Sequence, residues 1–133
     1  MTQDNRRTNA ASDLRAAGEA LRAAEALLAL GLLRDAVSRA YYAAFHAMRA
    51  LVLLEGYEPK THAGLLTLFA QHVVAPGRLE ARYNLLAARL AAYRNASDYA
   101  FEFDMPADEV RAEIVAVREL VERTRQLLDA TPG

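Results

Sequence analysis

Apolar residues in this chain return every three or four positions and nowhere sustain an alternation of two. Leu79, Tyr83, Leu86, Leu90 and Tyr93 show the pattern most cleanly. Steps of three and four bring side chains onto one face of an α-helix, whereas a strand needs a period of two. The segment predicts a helix from about Arg78 to Ser97. Leu14, Leu21 and Leu28, with Ala17, Ala24 and Leu27 in the same stripe, predict a first helix over 12–30, with Ser12 as N-cap, Asp13 in the first turn and Gly31 closing the end. Val37, Tyr41, Ala44/Phe45, Met48 and Val52 mark the core face of a second helix, from Leu33 to Glu55 and ended by Gly56. A shorter helix opens at Lys60 or Thr61, carries Leu65, Leu68, Phe69 and His72, and breaks at "APG" (75–77). Residues 98–105 form an aromatic, acidic loop. Pro106 starts the last helix, which carries Val110, Ile114, Val117, Leu120/Val121, Thr124 and Leu127/Leu128.

Short turns between such helices make neighbours antiparallel. The expected fold is all-α, an antiparallel up-and-down bundle of four long helices plus one shorter helix. The bundle is expected over 12–130, with residues 1–11 a polar, aperiodic tail.

Composition removes several chemistries. The chain has 133 residues, enough for one domain with its own core. It has no cysteine, so disulfides, thiolate catalysis and cysteine-ligated zinc are excluded. Net charge is −1, so no global field draws nucleic acid. No glycine-rich phosphate loop is present, and His46, His62 and His72 do not fall at helical metal-ligand spacing. No metal and no cofactor are expected. No apolar run is long enough for a membrane span, and "MTQDNRRTNAAS" lacks a signal-peptide core, so no membrane association and a cytoplasmic location are expected.

Two polar clusters stand out. On the second helix Asp35, Arg39, Tyr42, His46 and Arg49 share one side. In one reading Arg39, Tyr42 and His46 line a groove. In the other Arg39 pairs with Asp35, Tyr42 buries its ring and His46 is a hydrogen-bonded core or interface residue. The second cluster is "RNASDYAFEF" (94–103), at the end of the fourth helix. Arg94 and Asp98 are spaced to pair as a helix cap. Equally, Arg94 can present a planar guanidinium to a phosphate, with aromatics 99, 101 and 103 stacking on bases. Spacing does not choose between these readings.

"AVSRAYYAAFHAMRALVLLEGYEPKTHAG" (36–64) resembles the second helix and following turn of small HEPN-domain proteins, through Arg39, Tyr41, Tyr42, Ala43, Phe45, His46, Pro59 and His62. "RNASDY" (94–99) resembles the signature that closes the fourth helix in the same group. The resemblance extends over residues 14–128, nearly the whole chain. It implies a helical bundle that forms a homodimer and pairs with a small nucleotidyltransferase encoded nearby, as in toxin–antitoxin systems. In many HEPN proteins an arginine followed, after four to six residues, by a histidine forms a metal-independent RNA-cleaving site at the dimer cleft. Here four residues follow Arg94, and the next position is Tyr99 rather than histidine. The position at which some toxin members carry a modifiable tyrosine is Phe101.

These observations set the functional expectation. The chain reads as a dimeric HEPN module that binds nucleotide, RNA or a protein partner, with Arg39, Tyr42, His62, Asn95 and Asp98 as binding residues. The alternative is a metal-independent endoribonuclease toxin in which Arg94 stabilises charge and His46 or Tyr99 transfers the proton. A third reading is a purely structural adaptor bundle.

Overall fold

The structure, a computed structural model, describes residues 2–99 and 105–131, and the side chains among them except those of 96–99. Five α-helices form an antiparallel up-and-down bundle: α1 (Gln3–Ala29), α2 (Leu33–Leu54), α3 (His62–Phe69), α4 (Arg82–Tyr99) and α5 (Ala107–Ala130). No strand occurs among the described residues. The aromatic loop foreseen at 98–105 lies mostly outside them, and residues 98 and 99 belong to α4.

α2 is the central element and packs against α1, α3, α4 and α5. Its sequence explains this position. Ala36, Ala40, Ala43, Ala44, Ala47 and Ala50 are all fully buried, and small side chains let neighbouring backbones come close on several sides. Val37, Met48 and Val52 then fill the core as their spacing predicts. Phe69, Tyr83, Leu86, Leu90 and Val110 complete it from α3, α4 and α5.

The helix ends follow local chemistry. Gly31 has φ +76° and Gly56 φ +95°, a region that favours glycine. In each case the glycine N–H and the next N–H fold back onto the last turn: Leu32 N–H donates to Leu27 O (2.9 Å) and Tyr57 N–H to Val52 O (3.2 Å). Thr61 caps α3, its hydroxyl accepting from Gly64 N–H at 2.8 Å. Beyond α3 the chain widens into a π turn over Ala70–Val74, which carries His72 against Tyr57, the rings stacked 3.8 Å apart.

The start of α1 corrects the sequence expectation. The helix begins at Gln3, capped by the Thr2 hydroxyl accepting from Asn5 N–H, and Ser12 lies inside it. Two contacts account for order in this polar stretch. Ala10 is fully buried, and the Arg7 guanidinium donates to Leu128 O (3.0 Å) and Thr131 O (2.7 Å), two carbonyls at the C-terminal end of α5. α4 in turn begins at Arg82, with Leu79 buried just before it.

Candidate functional site

The site is built on the neighbouring tyrosines of α2. Residues one apart on a helix project about 100° from each other, so Tyr41 and Tyr42 face different surroundings. Tyr41 is buried and Tyr42 half-buried. Arg94, on the C-terminal part of α4, reaches both. One of its terminal nitrogens donates to the Tyr42 hydroxyl at 2.8 Å, and its guanidinium carbon lies 5.1 Å from the Tyr42 ring centre and 5.5 Å from that of Tyr41. Arg39, nearly one turn before Tyr42, holds its guanidinium 5.0 Å from the same ring. Two cations from two helices therefore converge on one phenol. An arginine at this range of an aromatic ring is attracted by the ring quadrupole, by about 0.5–1 kcal/mol at an exposed site. Arg39 takes this position and forms no ion pair with Asp35 among the described residues, so the pairing foreseen as the plainer alternative is not what holds it.

An open groove of about 300 Å³ runs beside this cluster between α1 and α2, lined by Glu19, Ala20, Arg39, Tyr42 and His46. His46 is fixed from α1. Its Nδ1 lies 2.9 Å from an Asp13 carboxylate oxygen, and the same carboxylate accepts from Arg49 at 3.1 and 3.2 Å. A carboxylate only accepts, so Nδ1 carries the proton and Nε2 is left free of this bond. Asp13 is 5% exposed. It is the site residue that the sequence reading missed, having been placed in the first turn of the helix. A signal was present: Asp13 interrupts the stripe of Ala10, Leu14, Ala17 and Leu21, and a charge within an apolar stripe needs a partner.

The opposite side of Tyr41 meets α3. The Tyr41 hydroxyl is hydrogen-bonded to His62 Nδ1, and the His62 ring lies 5.6 Å from Tyr41 and 4.5 Å from Phe45, centre to centre. Burial pushes the Tyr41 pKa up, and the positive charge of Arg94 offsets part of that rise. Arg94 is thus linked to His62 through one intervening phenol.

The structure brings Arg39, Tyr42 and Arg94 together and sets His46 in the adjoining groove, with His62 behind Tyr41. Asn95 is exposed on α4. The side chains of Asp98 and Tyr99 lie outside the described residues, as does Phe101, so the Arg94–Asp98 pairing has no structural account. Among the described residues no group of three or more histidine and carboxylate side chains converges as a metal site, and no helix is long and apolar enough to cross a membrane.

Residues 11–131 match the HEPN domain family. The chain is a HEPN-domain protein. Its HEPN region therefore takes in Asp13 on α1 as well as the α2 and α4 clusters. A relative from Methanocaldococcus jannaschii, named as a candidate toxin, is 37% identical over 113 residues, 84% of this chain and 83% of the relative. A UPF0332 protein from Thermotoga maritima is 30% identical over 116 residues, 87% of this chain and 83% of the relative. A UPF0332 protein from Pyrococcus horikoshii is 48% identical over a shorter stretch of 65 residues, 49% of this chain and 46% of the relative.

Proposed function

We propose that this HEPN protein is a phosphate-recognising module of a toxin–antitoxin-type system, which binds a nucleotide or RNA where Arg39 and Arg94 meet on Tyr42. The carrying observation is that convergence: two guanidinium groups from α2 and α4 lie 5.0 and 5.1 Å from a single ring. Guanidinium groups match phosphate geometry through paired N–H donors. The open groove beside the cluster favours this reading over a purely structural bundle, because it leaves the exposed Arg39 accessible. The toxin name carried by the Methanocaldococcus jannaschii relative supports the system in which the module would act. Pairing with a small nucleotidyltransferase, and assembly as a homodimer, belong to the same proposal.

The test is binding of a labelled single-stranded RNA and of a mononucleotide, with Arg39→Ala, Arg94→Ala and the double variant. Each single change is expected to weaken binding about tenfold and to lower its salt dependence. Wild-type affinity in the double variant would overturn the proposal. Co-expression with the neighbouring reading frame tests the partner, and sedimentation tests the dimer.

A second reading is endoribonuclease activity. One observation favours it: Tyr41 joins the Arg94 guanidinium to His62, so a histidine stands one side chain away from the charge stabiliser. In this arrangement His62, rather than His46 or Tyr99, is the group to test as the proton carrier. RNA cleavage lost in both Arg94→Ala and His62→Ala, while folding is retained, would support it. Full-length RNA after prolonged incubation with the wild type would dismiss it.

A further inference from the structure

Behind Tyr41 lies a second cavity that the phosphate site does not use. It measures about 220 Å³ and is lined by side chains of α2, α3 and α4, among them Tyr41, Phe45, Met48, His62, Leu65 and Ala91. Its walls differ from those of the open groove: apart from the Tyr41 hydroxyl and the His62 ring nitrogens, the named side chains offer only carbon and the Met48 sulfur. Three of them are aromatic and mutually packed, with ring centres 4.5 Å apart for Phe45 and His62, 5.6 Å for Tyr41 and His62 and 6.3 Å for Tyr41 and Phe45. The volume is below the range of about 300–1,000 Å³ that holds drug-sized ligands, so it suits a single flat ring system rather than an extended molecule.

The cavity is tied to the arginine cluster by position. Arg94 follows Ala91 by three residues on α4 and so stands on the same side of the helix, nearly one turn further on. Its guanidinium lies 5.5 Å from the ring of Tyr41, which is itself a wall of the cavity. An apolar, aromatic slot thus adjoins a cationic rim, and the two share one residue. We infer that the cavity between α2, α3 and α4 is a nucleobase pocket, in which the base of a nucleotide or of an unstacked RNA residue packs among Tyr41, Phe45 and His62 while its phosphate lies against Arg94. The inference rests on the phosphate site proposed above and adds the part of the ligand that makes it a nucleotide rather than any phosphate. Stacking on aromatic faces tolerates every base, so this pocket selects for a base more than for its identity. With Nδ1 engaged by the Tyr41 hydroxyl, His62 keeps Nε2 for a base edge, as donor or acceptor according to the ring tautomer.

The experiment compares adenosine 5′-monophosphate with ribose 5-phosphate, by calorimetry, on the full chain. Stacking of one base corresponds to about 5- to 150-fold in affinity, so the mononucleotide should bind tighter by a factor in that range. Ala63→Leu, at an exposed position on the pocket wall, should narrow the cavity and bring the mononucleotide down toward ribose 5-phosphate, leaving ribose 5-phosphate unchanged. Ala91→Leu should do the same from α4, with circular dichroism reporting that each variant is folded. Arg94→Ala should weaken both ligands. Equal affinities for the two ligands, both reduced by Arg94→Ala, would overturn the base pocket, keep the phosphate site, and leave the cavity to an apolar side chain of a protein partner. Binding of neither ligand would overturn both readings.

Discussion

Asp13→Ala is the substitution that most directly tests how the groove is held together. The carboxylate is 6% exposed and accepts hydrogen bonds from Arg49 at 3.1 and 3.2 Å, and it holds His46 Nδ1 at 2.9 Å. Hydrogen bonds to a charged group contribute about 1.5–3 kcal/mol each, and the two from Arg49 come from one nitrogen and count as one. Losing both partners at that scale would cost about 3–6 kcal/mol, but the partners are not trapped. The Arg49 side chain is 40% exposed and that of His46 29%, so water recovers part of the loss. The expected destabilisation is therefore about 2–3 kcal/mol. Urea unfolding at fixed protein concentration measures it, with m near 1–3 kcal/mol/M for a chain of this size, so the midpoint should fall by about 1–2 M with m unchanged. A cycle with Arg49→Ala isolates the pair. The double variant should be more stable than the sum of the single losses predicts, by about 1 kcal/mol, because removing Asp13 first leaves Arg49 nothing to lose. A midpoint within 0.3 M of wild type, about half a kcal/mol at that slope, would show that water satisfies Asp13 as well as His46 and Arg49 do, and would refute the reasoning.

Three further outcomes follow from single features. Phe69→Ala should cost about 3–5 kcal/mol, read by the same urea assay, since the ring is 0% exposed and its removal leaves a cavity. The two glycine-to-alanine changes at Gly77 and Gly18 should have opposite signs: Gly77 has φ +86° with open space for a Cβ, so Gly77→Ala destabilises by about 1 kcal/mol through the backbone alone, whereas Gly18, inside α1 with only Arg22 Nη1 at 3.6 Å, gains about 0.5–1 kcal/mol as alanine. Tyr41 should ionise above its ordinary value of 10.0, because burial disfavours the phenolate. The neutral phenol thus adds stability that is complete below that value and is lost as pH rises through the higher folded pKa. Arg94→Ala removes the charge that lowers this pKa, so phenolate absorbance assigned with Tyr41→Phe should appear at still higher pH.

The bundle was legible because helix periodicity is local. The stripes Val37–Met48–Val52, Leu86–Leu90 and Val110–Ile114–Val117 are all buried, and they needed no knowledge of their partners to be recognised. The start of α1 was not legible, because its first turns are ordered by Arg7 reaching the end of α5, across a separation of 121 residues. Asp13 was misplaced for the same reason: with the helix start set at Ser12 it became a first-turn charge, whereas in the real helix it is mid-element and faces α2. Arg39, Tyr42 and His46, grouped on one side of α2 by their spacing, line one groove. That Arg94 joins them depends on a contact between residues 52 positions apart, which spacing within either helix cannot reveal.

The consecutive tyrosines explain why Arg94 serves two surfaces. Tyr42 turns toward the polar groove, where Arg39 and His46 also stand, and Tyr41 turns toward the apolar cavity with Phe45 and His62. A lone tyrosine would belong to one surface or the other; two in succession make α2 a partition with an aromatic ring on each side. Arg94 crosses the top of that partition, bonded to one hydroxyl and lying near both rings. The Tyr41 hydroxyl in turn engages His62 on α3, so the position of the guanidinium depends on α2 and α4, and α3 is coupled to it through a single phenol. A ligand that seats its phosphate on Arg94 therefore meets the groove on one side and the cavity on the other. The orientation of its remaining groups decides which of the two it fills, and the chemistry of the walls favours carbon-rich rings behind Tyr41 and charged or hydroxylated groups in front of Tyr42.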